Sequence, residues 1–153
     1  MKYNRAITLV EALVGVAIIG IILVFVIGSQ ELLFRSARQS LETTKATYLA
    51  EEGQEYLRYM RDADWNQLKN LSTNTTYYFY RNGGTIVATT TSQVIDTKYT
   101  RSFVLKPLMR DSNNDLTSSG GTSDAGGRIA TVRVDWSSTY VSLDAIVSNI
   151  HNI

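Results

Sequence analysis

The 153-residue chain contains no cysteine, and proline and histidine each occur once. Without cysteine there is no disulfide framework and no thiolate nucleophile or metal ligand, so packing alone must hold an exported domain together. The single histidine, His151, gives a histidine-based dyad or metal cluster little to build on. The sequence therefore predicts no enzymatic activity and no cofactor.

The chain also lacks a large excess of charge of either sign. Lysine and arginine total 15 against 14 acidic residues, which gives a net charge of +1. The paired glycines Gly120-Gly121 and Gly126-Gly127 lack the lysine and the helix context of a phosphate-binding loop. We therefore expect no nucleic acid partner.

A long apolar run, residues 7–27, follows a short basic segment and contains a single charged residue, Glu11. As a helix of 21 residues it would span about 31 Å, enough to cross the hydrocarbon core of a membrane. Lys2 and Arg5 precede the run, and the first charge beyond it is Glu31. The positive-inside rule then places residues 1–6 in the cytoplasm and the rest of the chain outside it.

Glu11 is the most informative residue of this run, because a carboxylate inside a membrane costs about 2.5 kcal/mol or more unless it is paired. Lys2 or Arg5 would be a partner if either reached in from the membrane surface. If the basic leader is removed after Ala6, the new α-amino group of Ile7 lies one helical turn away. If Glu11 instead paired with the same amine on a neighbouring copy, the ion pair would set the register between subunits.

The N-terminal residues combine a short basic leader, a small residue at Ala6, the pattern Ile7-Thr8-Leu9-Val10-Glu11 and an apolar helix. In this order, residues 1–30 resemble the N-terminus of type IV prepilins and pilin-like proteins, whose usual pattern is Phe-Thr-Leu-Ile-Glu after a glycine. The resemblance implies cleavage between Ala6 and Ile7 by a membrane aspartic prepilin peptidase. It also implies N-methylation of Ile7 and a role for Glu11 in filament assembly.

The helix is expected to continue well beyond the apolar run, because residues 30–64 contain no proline and are rich in helix-forming residues. We predict one helix of about 55 residues that ends near residues 62–65. Its second half carries small and apolar residues at three- and four-residue spacing, which predicts a face buried against a sheet. These residues are Ala46, Leu49, Ala50, Gly53, Tyr56, Leu57 and Met60.

Charged residues lie on the same half of the helix. Residues 49–65 resemble a subgroup of minor pilins and pilus-modification proteins. The charged side chains have the spacing of helical pairs, so we interpret them as a solvated or subunit-contacting face rather than a carboxylate site. They are Glu51, Glu52, Glu55, Arg58 and Arg61.

The remainder of the chain alternates in the manner of β-strands. The predicted strands are residues 75–81, 85–91, 99–109, 128–136 and 140–147, with an Asn82-Gly83-Gly84 turn between the first two. Pro107 suggests that the end of the third strand lies at an edge. The fold class is α+β, with an antiparallel sheet packed on the second half of the long helix. We expect a leader (1–6), a transmembrane or filament-core helix (7–27), its continuation (28–65) and an extracytoplasmic sheet domain (66–153).

Two further groups of residues invite a binding role. Tyr77, Tyr78 and Tyr80 fit a sugar or nucleic-acid platform, although tyrosines in strands are more often half-buried sheet residues.

The other group is a polar loop in which Asp111, Asn113 and Asp115 have the one-three-five spacing that opens a calcium loop, with Asp124 as a late ligand. Leu116 stands where such a loop needs glycine. A solvated loop without metal is therefore the favoured interpretation.

Together these features predict a pilin-like subunit, most simply a minor pilin, made as a single-pass protein of the cytoplasmic membrane. Its partners would be prepilin peptidase, other pilin subunits in a homo- or hetero-filament, and the pilus assembly machinery. A pseudopilin of a type II secretion or DNA-uptake system is the nearest alternative. A single-pass membrane-anchored binding domain is the alternative of another class.

Overall fold

A computed structural model describes residues 4–118 and 120–149 of the chain; His151 and Lys2 lie outside this part. The residues divide into two compact units at Glu42 and Thr43. One helix, α1 (Asn4–Ala63, 60 residues), contributes to both units. It ends where the sequence predicts, and the absence of proline over this stretch explains why it is unbroken.

In the first unit, nearly all the side chains of α1 from residue 8 onward are exposed. The large apolar side chains from Leu9 to Ile27 are all exposed, to between 45 and 75%. A helix that is apolar on every side needs lipid or other protein around it. Over this stretch α1 is long and apolar enough to cross a membrane.

The second unit contains the end of α1, a short helix α2 (Asn66–Lys69) and one antiparallel sheet. Five strands follow the order β2-β1-β4-β6-β7, and the two-residue strands β3 and β5 both pair with β4. The strands are β1 (Thr76–Asn82), β2 (Thr85–Thr89), β3 (Val94–Ile95), β4 (Tyr99–Arg110), β5 (Leu116–Thr117), β6 (Thr122–Trp136) and β7 (Thr139–Ser148). The α+β class predicted from sequence is confirmed.

Two details of the sheet differ from expectation. Strand β6 begins at Thr122, so the paired glycines Gly126 and Gly127 lie within it rather than in the preceding loop. A Cβ on Gly127 would lie 2.5 Å from Leu108 Cδ2, which shows how closely β4 and β6 approach there. Strand β4 is an inner strand, between β1 and β6. Because β1 pairs with it only as far as Val104, only its later part, which contains Pro107, has the character of an edge.

The core of this unit lies between the predicted face of α1 and the sheet. Ala46, Ala50, Leu57 and Met60 are buried in one cluster with the strand residues, as the spacing predicts. Gly53 allows the closest approach, because a Cβ there would lie 2.7 Å from Val132 Cγ1. The strand residues buried with them include Phe79, Phe103, Leu105, Ala130, Val132 and Val134.

Candidate functional site: the N-terminal helix and its acidic residue

The candidate assembly site is the apolar part of α1 that contains Glu11. Ala6 and Ile7, the expected cleavage pair, lie in the first turns of the helix. Ile7 and Glu11 are four residues apart, so they share one face of the helix at a separation of one turn. The backbone therefore brings together the two positions that the pairing hypothesis requires.

The surroundings of Glu11 are almost entirely apolar. Its side chain is exposed, as are the neighbouring Val10, Ala12 and Leu13. From Ala12 to Ile27 no further charged residue occurs, and the next acid, Glu31, forms an ion pair with Arg35 at 2.5 Å. Glu11 is thus the one charged position between Thr8 and Ile27, where a covering partner would have to provide a counter-charge.

Comparison with known proteins addresses this same segment. A family model for the prokaryotic N-terminal methylation motif matches residues 1–27. Residues 1–27 therefore carry the N-terminal methylation signal that type IV pilin-like proteins have. The matched residues include Ala6, Ile7 and Glu11, and they end where the apolar run ends. No curated protein and no solved structure gives a significant match.

The sheet domain contains the other residues singled out in the sequence. Tyr77 is buried on the inner side of the sheet and stacks on Phe103, with 5.7 Å between ring centroids. Tyr78 is half-buried, and Tyr80 is 47% exposed. The three rings therefore do not form one platform, in agreement with the interpretation as sheet residues.

Of the expected calcium ligands, Asp111 and Asp124 use side-chain oxygens in hydrogen bonds within the protein. Asp111 Oδ1 accepts hydrogen bonds from the backbone amides of Asn113 and Asp115, at 2.8 and 2.9 Å. Asp124 Oδ2 accepts from Arg110 Nε at 2.7 Å, and this hydrogen bond holds the pKa of Asp124 below its ordinary value. Among the described residues no three acidic or histidine side chains form a metal-binding group. The geometry favours a turn without metal.

The charged residues on the second half of α1 have different environments. Glu55 pairs with Arg58 on the exposed face, as a helical pair should. Glu52 instead pairs with Arg101 of β4, whose Nη1 also donates to the carbonyl oxygen of Leu49, at 2.7 and 2.9 Å. The Arg101 side chain is only 7% exposed, so its guanidinium links α1 to the sheet through hydrogen bonds in the interior of the unit.

Tyr56 completes this buried contact, which the sequence analysis missed. The Arg101 guanidinium lies 4.5 Å from the Tyr56 ring centroid, and the Tyr56 hydroxyl donates to Glu52. Burial of Glu52 disfavours its charge, but the hydrogen bonds from Tyr56 and Arg101 outweigh that effect and lower its pKa. Burial and the bond to Glu52 raise the pKa of Tyr56. The one signal for this contact in the sequence is the position of Arg101, which alternates with Phe103 and Leu105 on the inner face of β4.

Proposed function

We propose that the chain is a minor pilin-like structural subunit whose precursor is cut after Ala6, methylated at Ile7 and assembled into a filament through residues 7–27. The observation that carries the proposal is the apolar half of α1, on which the large side chains from Leu9 to Ile27 are uncovered and Glu11 is the one charge. The methylation motif at residues 1–27 supports the same route.

Association rather than chemistry is the mechanism. Before assembly, lipid would cover the apolar side chains, and the basic residues Lys2 and Arg5 would keep the leader at the cytoplasmic side of the membrane. In the filament, the same segments of other subunits would take the place of the lipid. Because lipid is about as apolar as these side chains, helix packing and the pairing of polar groups must supply the specificity.

Glu11 would supply that specificity. Removal of residues 1–6 takes away two basic side chains and leaves a new α-amino group at Ile7. An intramembrane carboxylate is stabilised by a nearby positive charge, so one axial offset between neighbouring helices would be favoured over the others. The sheet domain has a buried core of its own, so its folding would not require the helix packing of the filament.

The test is the N-terminal mass of the protein isolated from its native membrane, or after co-expression with a prepilin peptidase. The expected chain begins at N-methylated Ile7. An unprocessed chain that begins at Met1 in the native membrane would contradict the proposal and favour a membrane-anchored binding domain.

The type of filament is a separate question within the same proposal. A minor pilin is expected in fibres sheared from the cell surface. Recovery of the processed chain only in a filament confined to the cell envelope would instead identify a pseudopilin of a secretion or DNA-uptake system.

A further inference from the structure

Large apolar side chains remain exposed on α1 beyond the end of the apolar run. Phe34 is 68% exposed and Leu41 is 71% exposed, much as Ile27 is at the end of the run. Charged residues lie between and beside them, namely Glu31, Arg35, Arg38 and Glu42. Because charges are costly in hydrocarbon, residues 28–42 do not lie in the core of a membrane. Lipid tails therefore do not cover Phe34 or Leu41.

The lipid headgroups do not reach Leu41 either. Leu41 follows Ile27 by two heptads, which is about 21 Å along the helix at roughly 1.5 Å per residue. The headgroup region adds only about 5–8 Å on each side of the hydrocarbon core. With Ile27 at the boundary of the core, Leu41 lies beyond the headgroups even in a helix tilted by about 40°. Only protein can bury this side chain.

The exposed side chains form a stripe with the spacing of a coiled-coil face. Ile27, Phe34 and Leu41 recur every seven residues, and Gln30 and Ala37 follow the first two by three residues. These are the a and d positions of a heptad repeat, the spacing that keeps two helices in contact along their length. All five residues are exposed. We call them the juxtamembrane stripe.

A groove on the juxtamembrane stripe has the form of a hole for a side chain from a neighbouring helix. Its volume is about 540 Å³, and its lining includes Ile27, Gln30, Glu31 and Phe34. These residues occupy positions i, i+3, i+4 and i+7 of the helix. In knobs-into-holes packing, four residues in this arrangement surround one inserted side chain. The shape of this surface thus suits another α-helix.

We propose that a second copy of this chain packs on the juxtamembrane stripe and forms a parallel two-helix contact just outside the membrane. Two copies anchored by the same apolar run leave the membrane in the same direction and at the same depth, so their stripes face each other in register. Phe34 and Leu41 then pack on their counterparts, and the small Ala37 between them lets the helices approach closely. Gln30 fixes this register, since its amide both donates and accepts and can pair with the same amide of the other copy. The contact forms between uncut precursors, so it does not rest on the proposed cleavage or on filament assembly.

Disulfide cross-linking is a specific test, because the chain contains no cysteine and an introduced one is the sole thiol of each copy. The uncut full chain is placed at low density in phosphatidylcholine vesicles, without prepilin peptidase or other subunits. Ala37→Cys puts the thiol on the juxtamembrane stripe. Ser36→Cys is the matched control, an exposed residue of similar size that lies about 200° around the helix from Phe34.

Formation of the linked dimer under mild oxidation is followed on non-reducing gels. We expect Ala37→Cys to form it at least tenfold faster than Ser36→Cys, because facing d positions hold the two Cα atoms within the roughly 4.4–6.8 Å span of a disulfide.

A second pair of variants shows which side chains make the contact. Phe34→Gln, added to Ala37→Cys, should slow the cross-linking about tenfold, because it removes a large apolar side chain from the stripe. Glutamine forms helix more readily than phenylalanine, so this loss would not come from an unfolded helix. Leu32→Gln is the control, since Leu32 is 71% exposed on the opposite side of the helix from Phe34, and it should leave the rate unchanged.

Several results would overturn the proposal. One is an equal rate for Ala37→Cys and Ser36→Cys, and another is a lack of cross-linking at both positions. Equal effects of Phe34→Gln and Leu32→Gln would show that the stripe is not the contact surface. Cross-linking of Ala37→Cys to a different protein in the native membrane, with none between copies in vesicles, would assign the stripe to another subunit. Failure of the filament proposal would leave the vesicle results unchanged, because no step in them depends on cleavage after Ala6.

Discussion

The two units of this chain differ in whether their large apolar side chains are exposed or buried. In the first, large side chains from Leu9 to Ile27 are exposed, with Phe25 at 75%. In the second, Leu57, Phe103, Leu105 and Val132 are fully buried against one another. One unit encloses its own core, and the other leaves its apolar surface for a partner to cover. The proposed function uses the unit whose apolar side chains are exposed.

The same contrast holds for charge. Arg101 is buried in the second unit, and its hydrogen bonds to Glu52 and Leu49 are supplied from within that unit. Glu11 lies in an apolar segment, and the first charged residues on its C-terminal side, Glu31 and Arg35, pair with each other. Removing the partner of a buried charge is costly, so Arg101 depends on Glu52 and Leu49 within its own unit. Under the proposed function, Glu11 would gain a counter-charge only on assembly.

Replacing Glu11 should give the largest effect. We expect Glu11→Ala to be inserted and cleaved normally but to fall at least tenfold in filament incorporation, because it would lose the proposed ion pair that sets the register. Quantitative blotting of sheared filaments against whole membranes measures the ratio. Glu31→Ala is the matched control, an acid of the same helix outside the apolar run, and it should assemble normally. Normal incorporation of Glu11→Ala would refute the register role.

Adding a methyl group to α1 should have a smaller effect, and its effect on the free energy of unfolding should differ between the two units. At Gly53 the new Cβ would lie 2.7 Å from Val132 Cγ1 and 3.1 Å from Arg101 Cδ. Overpacking costs roughly 1–3 kcal/mol, against about 1 kcal/mol recovered from helix propensity, so Gly53→Ala should lower the free energy of unfolding.

Gly20→Ala serves as the control, since a Cβ there meets nothing within 4 Å. Urea unfolding of both variants in micelles can be followed by tryptophan fluorescence, because Trp65 and Trp136 both pack in or against the core of the sheet unit. The unfolding midpoint should fall for Gly53→Ala alone. Equal midpoints for Gly53→Ala and the unaltered chain would show that α1 does not depend on this close approach.

The sequence predicts those features of the structure that are encoded by contiguous or regularly spaced residues. The methylation motif and the apolar run are contiguous, so they are visible without a fold. The buried face of α1 follows from helical spacing, because Ala46, Ala50 and Leu57 recur on one side of a helix whatever packs there. Alternation likewise predicts the strands, and the antiparallel sheet follows from their short connections.

The features that escaped prediction depend on contacts between distant residues. Strand β6 begins at Thr122 because Gly127 allows Leu108 of β4 to lie close beside it, and a glycine-rich sequence by itself predicts a loop. Arg101 and Glu52 are 49 positions apart in sequence and meet only through the packing of helix on sheet.

The smallest expected effect is the pH dependence of the Glu52 contact. Because the folded-state pKa of Glu52 lies below its ordinary value of 4.5, its charged form is favoured by folding. The stabilisation is therefore fully present above the pKa of the unfolded chain and is lost as the pH falls through the lower folded-state value. Glu52→Gln should remove part of the acid-induced loss of stability below about pH 4.5.

The effect should be modest, since the Glu52 side chain is 46% exposed and solvent screens the pair. Thermal unfolding as a function of pH measures it, with Glu51→Gln as the control for removing an exposed carboxylate one residue away. Equal pH profiles for the two variants would mean that Arg101 holds α1 through the carbonyl oxygen of Leu49 and the Tyr56 ring, without a contribution from the ion pair. The contact between α1 and the sheet would then not depend on an ion pair. The charge of Glu52 would contribute nothing to the stability of the second unit, whereas the proposed role of Glu11 depends entirely on its charge.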